Sequence, residues 1–202
     1  MTIRSREPLP VQGAYLVREF EKEDVRGYSL PLSGFAFPPW SELLVVSKGD
    51  VLRGLHYQKG MRKIVRCLRG KIVDVGVDLR TNSPTYGKHY SQILDSSSLA
   101  IVIPDGVAHG IRVYGTWDDT GSFLEPAEVL YHFSAPYNPC LEGAVRWDDP
   151  ELAIDWRFKD QSDYDNLSTW AGLGRLHEHI ILSERDRTAP SFADYKKDPV
   201  YR

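Results

Sequence analysis

Between residues 43 and 134 the chain is a succession of short apolar runs, most of them rich in Val, Ile and Tyr and several alternating in polarity. The alternation is clearest in Lys71-Ile72-Val73-Asp74-Val75-Gly76-Val77-Asp78, whose period of two is that of a β-strand. Strands are predicted at 43–47, 51–57, 63–68, 71–79, 89–94, 100–103, 110–113 and 129–134. The breaks between them carry turn chemistry: Gly49-Asp50, Arg69-Gly70, Asn82-Ser83-Pro84 and Asp105-Gly106. Many short strands divided by such turns predict a sandwich or barrel, not alternating strands and helices.

The flanks are less regular. Residues 19–26 read as a charged loop or short turn, and 115–126 (GTWDDTGSFLEP) as a polar surface loop. After Trp156 an irregular stretch runs over 157–179, followed by apolar residues 180–182 and a short helix at 191–196. There is no internal repeat, and the tail is too short and mixed to fold alone. One domain over 1–202 is therefore expected, with its core at 43–156 and an irregular C-terminal segment at 157–202.

Composition narrows the partners. With 25 Lys and Arg against 28 Asp and Glu, the net charge of −3 gives no basic field for nucleic acid or an anionic membrane. A local Arg and Lys cluster still leaves room for a small phosphorylated substrate. Two cysteines, Cys67 and Cys140, make no disulfide framework. No apolar run approaches the roughly 18 residues of a membrane span. The N-terminal charges are followed by no apolar stretch, so no signal peptide is expected, and a cytoplasmic location is.

Pro104-Asp105-Gly106-Val107-Ala108-His109 has the form P-x-G-x-x-H. It resembles the second motif of the cupins, jelly-roll proteins whose motif histidine projects into the barrel mouth. The fold class expected is accordingly all-β: a cupin-type jelly-roll barrel with a few short helices at its periphery and C-terminus. The first cupin motif usually offers two histidines one residue apart, then a glutamate. Here the stretch reads Arg53-Gly54-Leu55-His56-Tyr57-Gln58, with Gln58 in place of the second imidazole and Lys63 near the position of the carboxylate. Two histidines beside a lysine make a poor divalent site, so no metal is expected. They suit proton transfer. A strand presenting Arg53, His56 and Gln58 at alternate positions, allowing for Gly54, is costly in a core unless a ligand satisfies it. His109 alone reads equally well as a barrel histidine satisfied by hydrogen bonds.

The same residues carry a wider likeness. VLRGLHYQ (51–58), KIVRCLRGKIVDVGVDLRTNSPTYG (63–87), IPDGVAHG (103–110), EVLYHFSAPYNP (128–139), EGAVRWDDPELAIDW (142–156) and LSERDRTAP (182–190) together resemble the dTDP-4-dehydrorhamnose 3,5-epimerase family. The resemblance implies an isomerase inverting C3 and/or C5 of a nucleotide-linked 4-keto-6-deoxyhexose. It implies His56 as general base, Tyr131 as general acid, Asp186 as the carboxylate paired with the histidine, and Lys63 beside the keto oxygen. Arg53, His109 and Glu142 match substrate-binding positions, Tyr137 a tyrosine that stacks on thymine, and Arg26 a nucleotide-binding arginine. A homodimer without cofactor is implied, the step before a final reductase in making dTDP-L-rhamnose.

The chemistry fits these residue types. Removing a proton beside a ketone needs a base at carbon and a cation at oxygen acting together. Inversion needs a second group, on the opposite face of the ring, to return a proton. No G-x-G-x-x-G is present to bind a redox cofactor. Taken singly, Tyr131 reads as a strand aromatic, Lys63 as an exposed strand residue, Asp186 as part of a turn with Glu184 and Arg185, and Tyr137 as a packed loop aromatic.

The chain also departs from the family. Residues 26–31 (RGYSLP) lack the usual acid, and 41–46 (SELLVV) lack the usual amide pair, both of which help bind the nucleotide. A different nucleotide, a C3-only epimerase and a 3,4-ketoisomerase remain alternatives. A metal-dependent cupin dioxygenase and a non-catalytic sugar-binding cupin compete from other classes. His177 and His179 stand at strand spacing, but no third ligand accompanies them, and a polar loop is expected there.

Overall fold

The computed structural model describes residues 3–19, 22–24, 27–29, 36–37, 39–96, 99–113, 126–157 and 180–202. Eight strands form where the polarity pattern places them: β5 (Ser41–Ser47), β6 (Leu52–Gln58), β7 (Lys63–Arg69), β8 (Lys71–Asp78), β9 (His89–Asp95), β10 (Leu99–Ile103), β11 (Val107–Val113) and β12 (Ala127–Phe133). Sequence reading misses β1 (Ile3–Pro8), which is mostly polar, β13 (Glu142–Ala144), which has three residues, and β2 (Tyr15–Glu19), whose apolar run is only Tyr15-Leu16-Val17. The stretch 19–26, read as a charged loop or short turn, carries strand residues. Lys22–Asp24 (β3) pairs antiparallel with Gly27–Ser29 (β4) as a small hairpin. The expected loop at 115–126 and the segment at 157–179, with His177 and His179, fall almost wholly outside the described residues.

The strands make two antiparallel sheets, ordered β1-β2-β10-β7-β12-β5 and β13-β6-β11-β8-β9. From β5 to β8 the chain alternates between them, as it does again from β9 to β13, the weave of a jelly roll. Val65, Cys67, Ile72, Leu94, Ile101, Ile111 and Val129 fill the space between the sheets.

The polarity of β8 runs opposite to that of a solvated strand. Its apolar residues Val73, Val75 and Val77 point away from the barrel interior and are buried under Trp147, Leu152, Trp156, Phe192 and Tyr195. Its polar residues Asp74 and Asp78 are also fully buried. The alternation thus marks a sheet covered on both faces. Asp78 is satisfied by Arg80, Ser83 and Thr85 of the following turn, and Asp74 by partners described below.

Two short C-terminal helices complete the cover. Ser183 caps α1 (Glu184–Arg187), its hydroxyl accepting from the Asp186 amide, and Ser191 caps α2 (Phe192–Lys197) in the same way through Asp194. Residue 181 bridges to Val51 at the start of β6, with Leu52 N–H donating to Ile181 and Ile181 N–H to Asp50. This bridge ties α1 to the strand that carries His56. No helix among the described residues is long and apolar enough to cross a membrane.

Trp156 anchors the cover. It is 5% exposed, and its indole N–H donates to the Trp147 carbonyl at 2.9 Å. Trp156→Ala is expected to cost about 3–5 kcal/mol, a fall in Tm on the order of 10 °C for a chain of this length. A thermal melt shifted by under about 2 °C would show that this cover contributes little to the fold.

Candidate active site

The site is assembled around an irregularity in β6. Against β11, His109 pairs with His56 and Ile111 with Arg53, so three residue steps on β6 match two on β11. This bulge puts Arg53 and His56, three apart, on one face of the sheet. It centres on Gly54, whose φ is +129° and where a Cβ would stand 2.5 Å from the Gly110 Cα. Only glycine lets the two strands close there.

On the inner face, His56 Nε2 lies 2.5 Å from Asp186 Oδ1, and Asp186 is 3% exposed. Ser183 donates to the other carboxylate oxygen at 2.8 Å. Burial alone would raise the Asp186 carboxyl. The His56 hydrogen bond and charge, Ser183 and the Gly54 amide outweigh it and hold the group below the usual carboxylate range. Lys63, at the start of β7, donates to the His56 carbonyl at 3.2 Å. Burial lowers its ammonium to about 8, against the opposing pull of Glu142 and Asp74.

Tyr131 comes from the other sheet. It is buried in β12, stacked on Phe133 at 5.8 Å and edge-on to His109 at 5.9 Å. Burial, followed by the negative charge of Asp74, pushes its phenol well above the ordinary value, so it keeps its proton at neutral pH. The imidazole–carboxylate pair and the phenol therefore stand on opposed walls.

At the mouth, Glu142 accepts from the exposed Tyr137 hydroxyl at 2.8 Å and pairs with Arg185 at 2.9 Å. Arg53 Nε donates to Ser47 at 2.9 Å. Gln58, expected among the ligand contacts, is 5% exposed and committed elsewhere. Its amide donates to Pro136 O and accepts from Asn138 N, both at 2.9 Å, so it holds the loop that carries Tyr137. Arg26 lies outside the described residues. On β5, within the 41–46 stretch that lacks the family's amide pair, Leu43 sits opposite Tyr131 in register and is half exposed. Among the described residues, no three His, Cys, Asp or Glu side chains gather as metal ligands.

Sequence reading overlooked Asp74, Tyr90 and Arg185. The alternation of β8 alone did not mark Asp74; once both faces of the strand are buried, its carboxylate has to meet a partner inside. Arg185 adjoins Asp186 on α1 and so reaches the same mouth.

The model of the dTDP-4-dehydrorhamnose 3,5-epimerase family matches residues 8–194, nearly the whole chain. The chain belongs to this family. It is thus an isomerase of the epimerase type. The dTDP-4-dehydrorhamnose 3,5-epimerase of Methanothermobacter thermautotrophicus is 31% identical over 202 residues, covering 95% of this chain and 94% of the relative. The crystal structure of the Elizabethkingia anophelis dTDP-4-dehydrorhamnose 3,5-epimerase superposes with a TM-score of 0.76 at 31% identity, covering 96% and 98% of the two chains. ChmJ, a 3'-monoepimerase from Streptomyces bikiniensis solved with dTDP-quinovose, gives 0.75 at 26% identity, covering 95% and 89%.

In this epimerase the depressed Asp186 carboxyl links to stability. A group whose folded pKa is lowered stabilises above its unfolded pKa, and that contribution is lost as pH falls through the folded value. Asp186→Asn should therefore cost about 1–3 kcal/mol at neutral pH, with the gap from the parent closing in acid. Urea unfolding at pH 7 and below pH 3 measures it. A pH-independent gap would mean that the carboxylate charge is not what stabilises.

Proposed function

We propose that this enzyme inverts C3 and C5 of a dTDP-linked 4-keto-6-deoxyhexose, without a cofactor, by proton transfer through an enolate. The observation that carries the reading is His56 on one sheet, paired with Asp186 of α1, and the Tyr131 phenol on the other, with the Lys63 ammonium beside His56. His56 takes the proton from the carbon beside the ketone. Asp186 fixes its tautomer and steadies the imidazolium that results. Lys63 meets the charge growing on the keto oxygen, where a cation in a dry site is worth several kcal/mol. Tyr131 returns a proton from the opposite wall and so inverts the centre.

Arg53, Glu142 and Tyr137 receive the nucleotide and diphosphate at the mouth, with Arg185 available there as a further cation. The half-exposed Leu43 makes that mouth less polar than amides would, which leaves the base the loosest part of the assignment. Turnover of substrates differing only in the base tests it: strict thymidine preference supports dTDP, and indifference to the base argues for another nucleotide. We propose a homodimer, supported by the edge strand β5, whose Leu43, Leu44 and Val46 are each half exposed. The unpaired Cys67 and Cys140 suit a reducing, cytoplasmic setting.

Proton exchange in D2O, followed by NMR with dTDP-4-keto-6-deoxyglucose, separates the roles. His56→Ala should abolish exchange and keep the fold. Tyr131→Phe should let deuterium enter while inversion falls by about 10²-fold or more. Equal loss of exchange and inversion in Tyr131→Phe would refute the role given to that phenol. Deuterium at C3 alone in the parent enzyme would make it a mono-epimerase or ketoisomerase.

Activity should also fall on the alkaline side. Lys63 works as a cation, its pKa is lowered to about 8, and its charge is lost as pH rises through that value. The expected kcat profile drops above about pH 8, and Lys63→Arg should move that limb upward. A limb unmoved by Lys63→Arg would assign it to another group.

A further inference from the structure

Behind His109 lies a polar network that the mechanism above does not use. Asp74 is fully buried on β8. Its Oδ1 accepts from the Tyr90 hydroxyl at 2.9 Å, and its Oδ2 lies 2.7 Å from His109 Nε2. The sequence makes space for this arrangement. At Gly76, paired with Tyr90 across the sheet, a Cβ would stand 2.3 Å from the Tyr90 ring. Each carboxylate oxygen thus has one fixed partner, and His109 is held in a His–Asp pair of its own, 4% exposed.

An ionised carboxylate can only accept, and a neutral imidazole has one donor and one acceptor nitrogen. With Asp74 as the carboxylate and His109 neutral, the proton of the pair sits on Nε2, and Nδ1 carries a lone pair. Burial favours the neutral ring and lowers its pKa, with Lys63 and His56 acting in the same direction against Asp74.

Position gives this tautomer a consequence. His109 and His56 are direct partners on neighbouring strands of one sheet, whereas Tyr131 stands on the other. A proton on the cavity side of His109 would sit on the same wall as the base. It could then be returned to the face from which His56 took one, which restores the starting centre. We propose that Asp74, steadied by Tyr90, is a positioning residue that holds His109 as its Nε2–H tautomer, so that Nδ1 accepts from a sugar hydroxyl and cannot protonate the enolate on the His56 side. The inference rests on the epimerase reading and adds to it a guard on stereochemistry. Tyr131 is left as the acid, and Lys63 as the charge on the enolate oxygen.

Two measurements test it. Nitrogen-15 NMR of the histidine-labelled resting enzyme at pH 7 should find His109 neutral and protonated at Nε2. Finding Nδ1–H or the imidazolium would overturn the proposal without touching the epimerase reading. In D2O, Asp74→Asn should raise the ratio of deuterium exchange with retention to inversion by about tenfold, the discrimination one hydrogen bond to a charged group carries. Tyr90→Phe, which keeps Asp74 and the ring volume, should shift the ratio the same way by less, and it serves if Asp74→Asn does not fold. A parallel fall of exchange and inversion in either folded variant would reduce Asp74 to a structural role and sink the proposal. A parent enzyme that exchanges nothing would sink the epimerase reading, and the stereochemical role with it, even with the tautomer as expected.

Discussion

The site depends on how closely β6 and β11 approach each other at Gly54 and Gly110. A Cβ at Gly110 would stand 2.8 Å from the Arg53 carbonyl, so neither strand tolerates a side chain at the crossing. The close contact forces the extra residue of the bulge, and the bulge sets which side chains of β6 look inward. Without it, period-two alternation would send Arg53 and His56 to opposite faces. The Gly54 amide also reaches the Asp186 carboxylate. One backbone distortion therefore aims the imidazole and helps hold the carboxylate that orients it.

The two sheets divide the candidate site residues between them. The five-stranded sheet carries His56, His109, Asp74 and Glu142, and the six-stranded sheet carries Tyr131 and Lys63. Packed sheets lie about 10 Å apart, which on the proposed reaction leaves room for a sugar ring between the two walls. Rigidity comes from outside the barrel. The apolar backs of β6 and β8 are pressed under Trp147, Trp156, Phe192 and Tyr195, and the same C-terminal segment supplies Asp186.

Much of this was legible in the sequence, for physical reasons that differ from residue to residue. The core strands announced themselves through Val and Ile at period two. His56 stood out in its own strand, but Lys63, Tyr131 and Asp186 took their roles only from the family likeness, because a lone tyrosine or lysine in a strand carries no mark of its surroundings. Gln58 shows the limit of pattern reading. Its place in RGLHYQ suggested a ligand contact, but its partners are Pro136 and Asn138, some eighty residues away. Asp74 was overlooked for the opposite reason. The alternation of β8 reads as that of a half-solvated strand, whereas its apolar face is covered by residues from beyond position 145 and its carboxylates are buried.

The pair His56–Asp186 spans 130 positions of the chain. During synthesis the barrel strands emerge first, and every wall of the cavity except α1 precedes residue 145. Such a cavity would have its imidazole in place with nothing to orient it. On the mechanism proposed above, proton abstraction would wait until the last segment has closed over β6, and turnover would report that the whole chain has folded. On the same mechanism, nicking or unpicking the C-terminal cover would silence the enzyme while most of the barrel still stood.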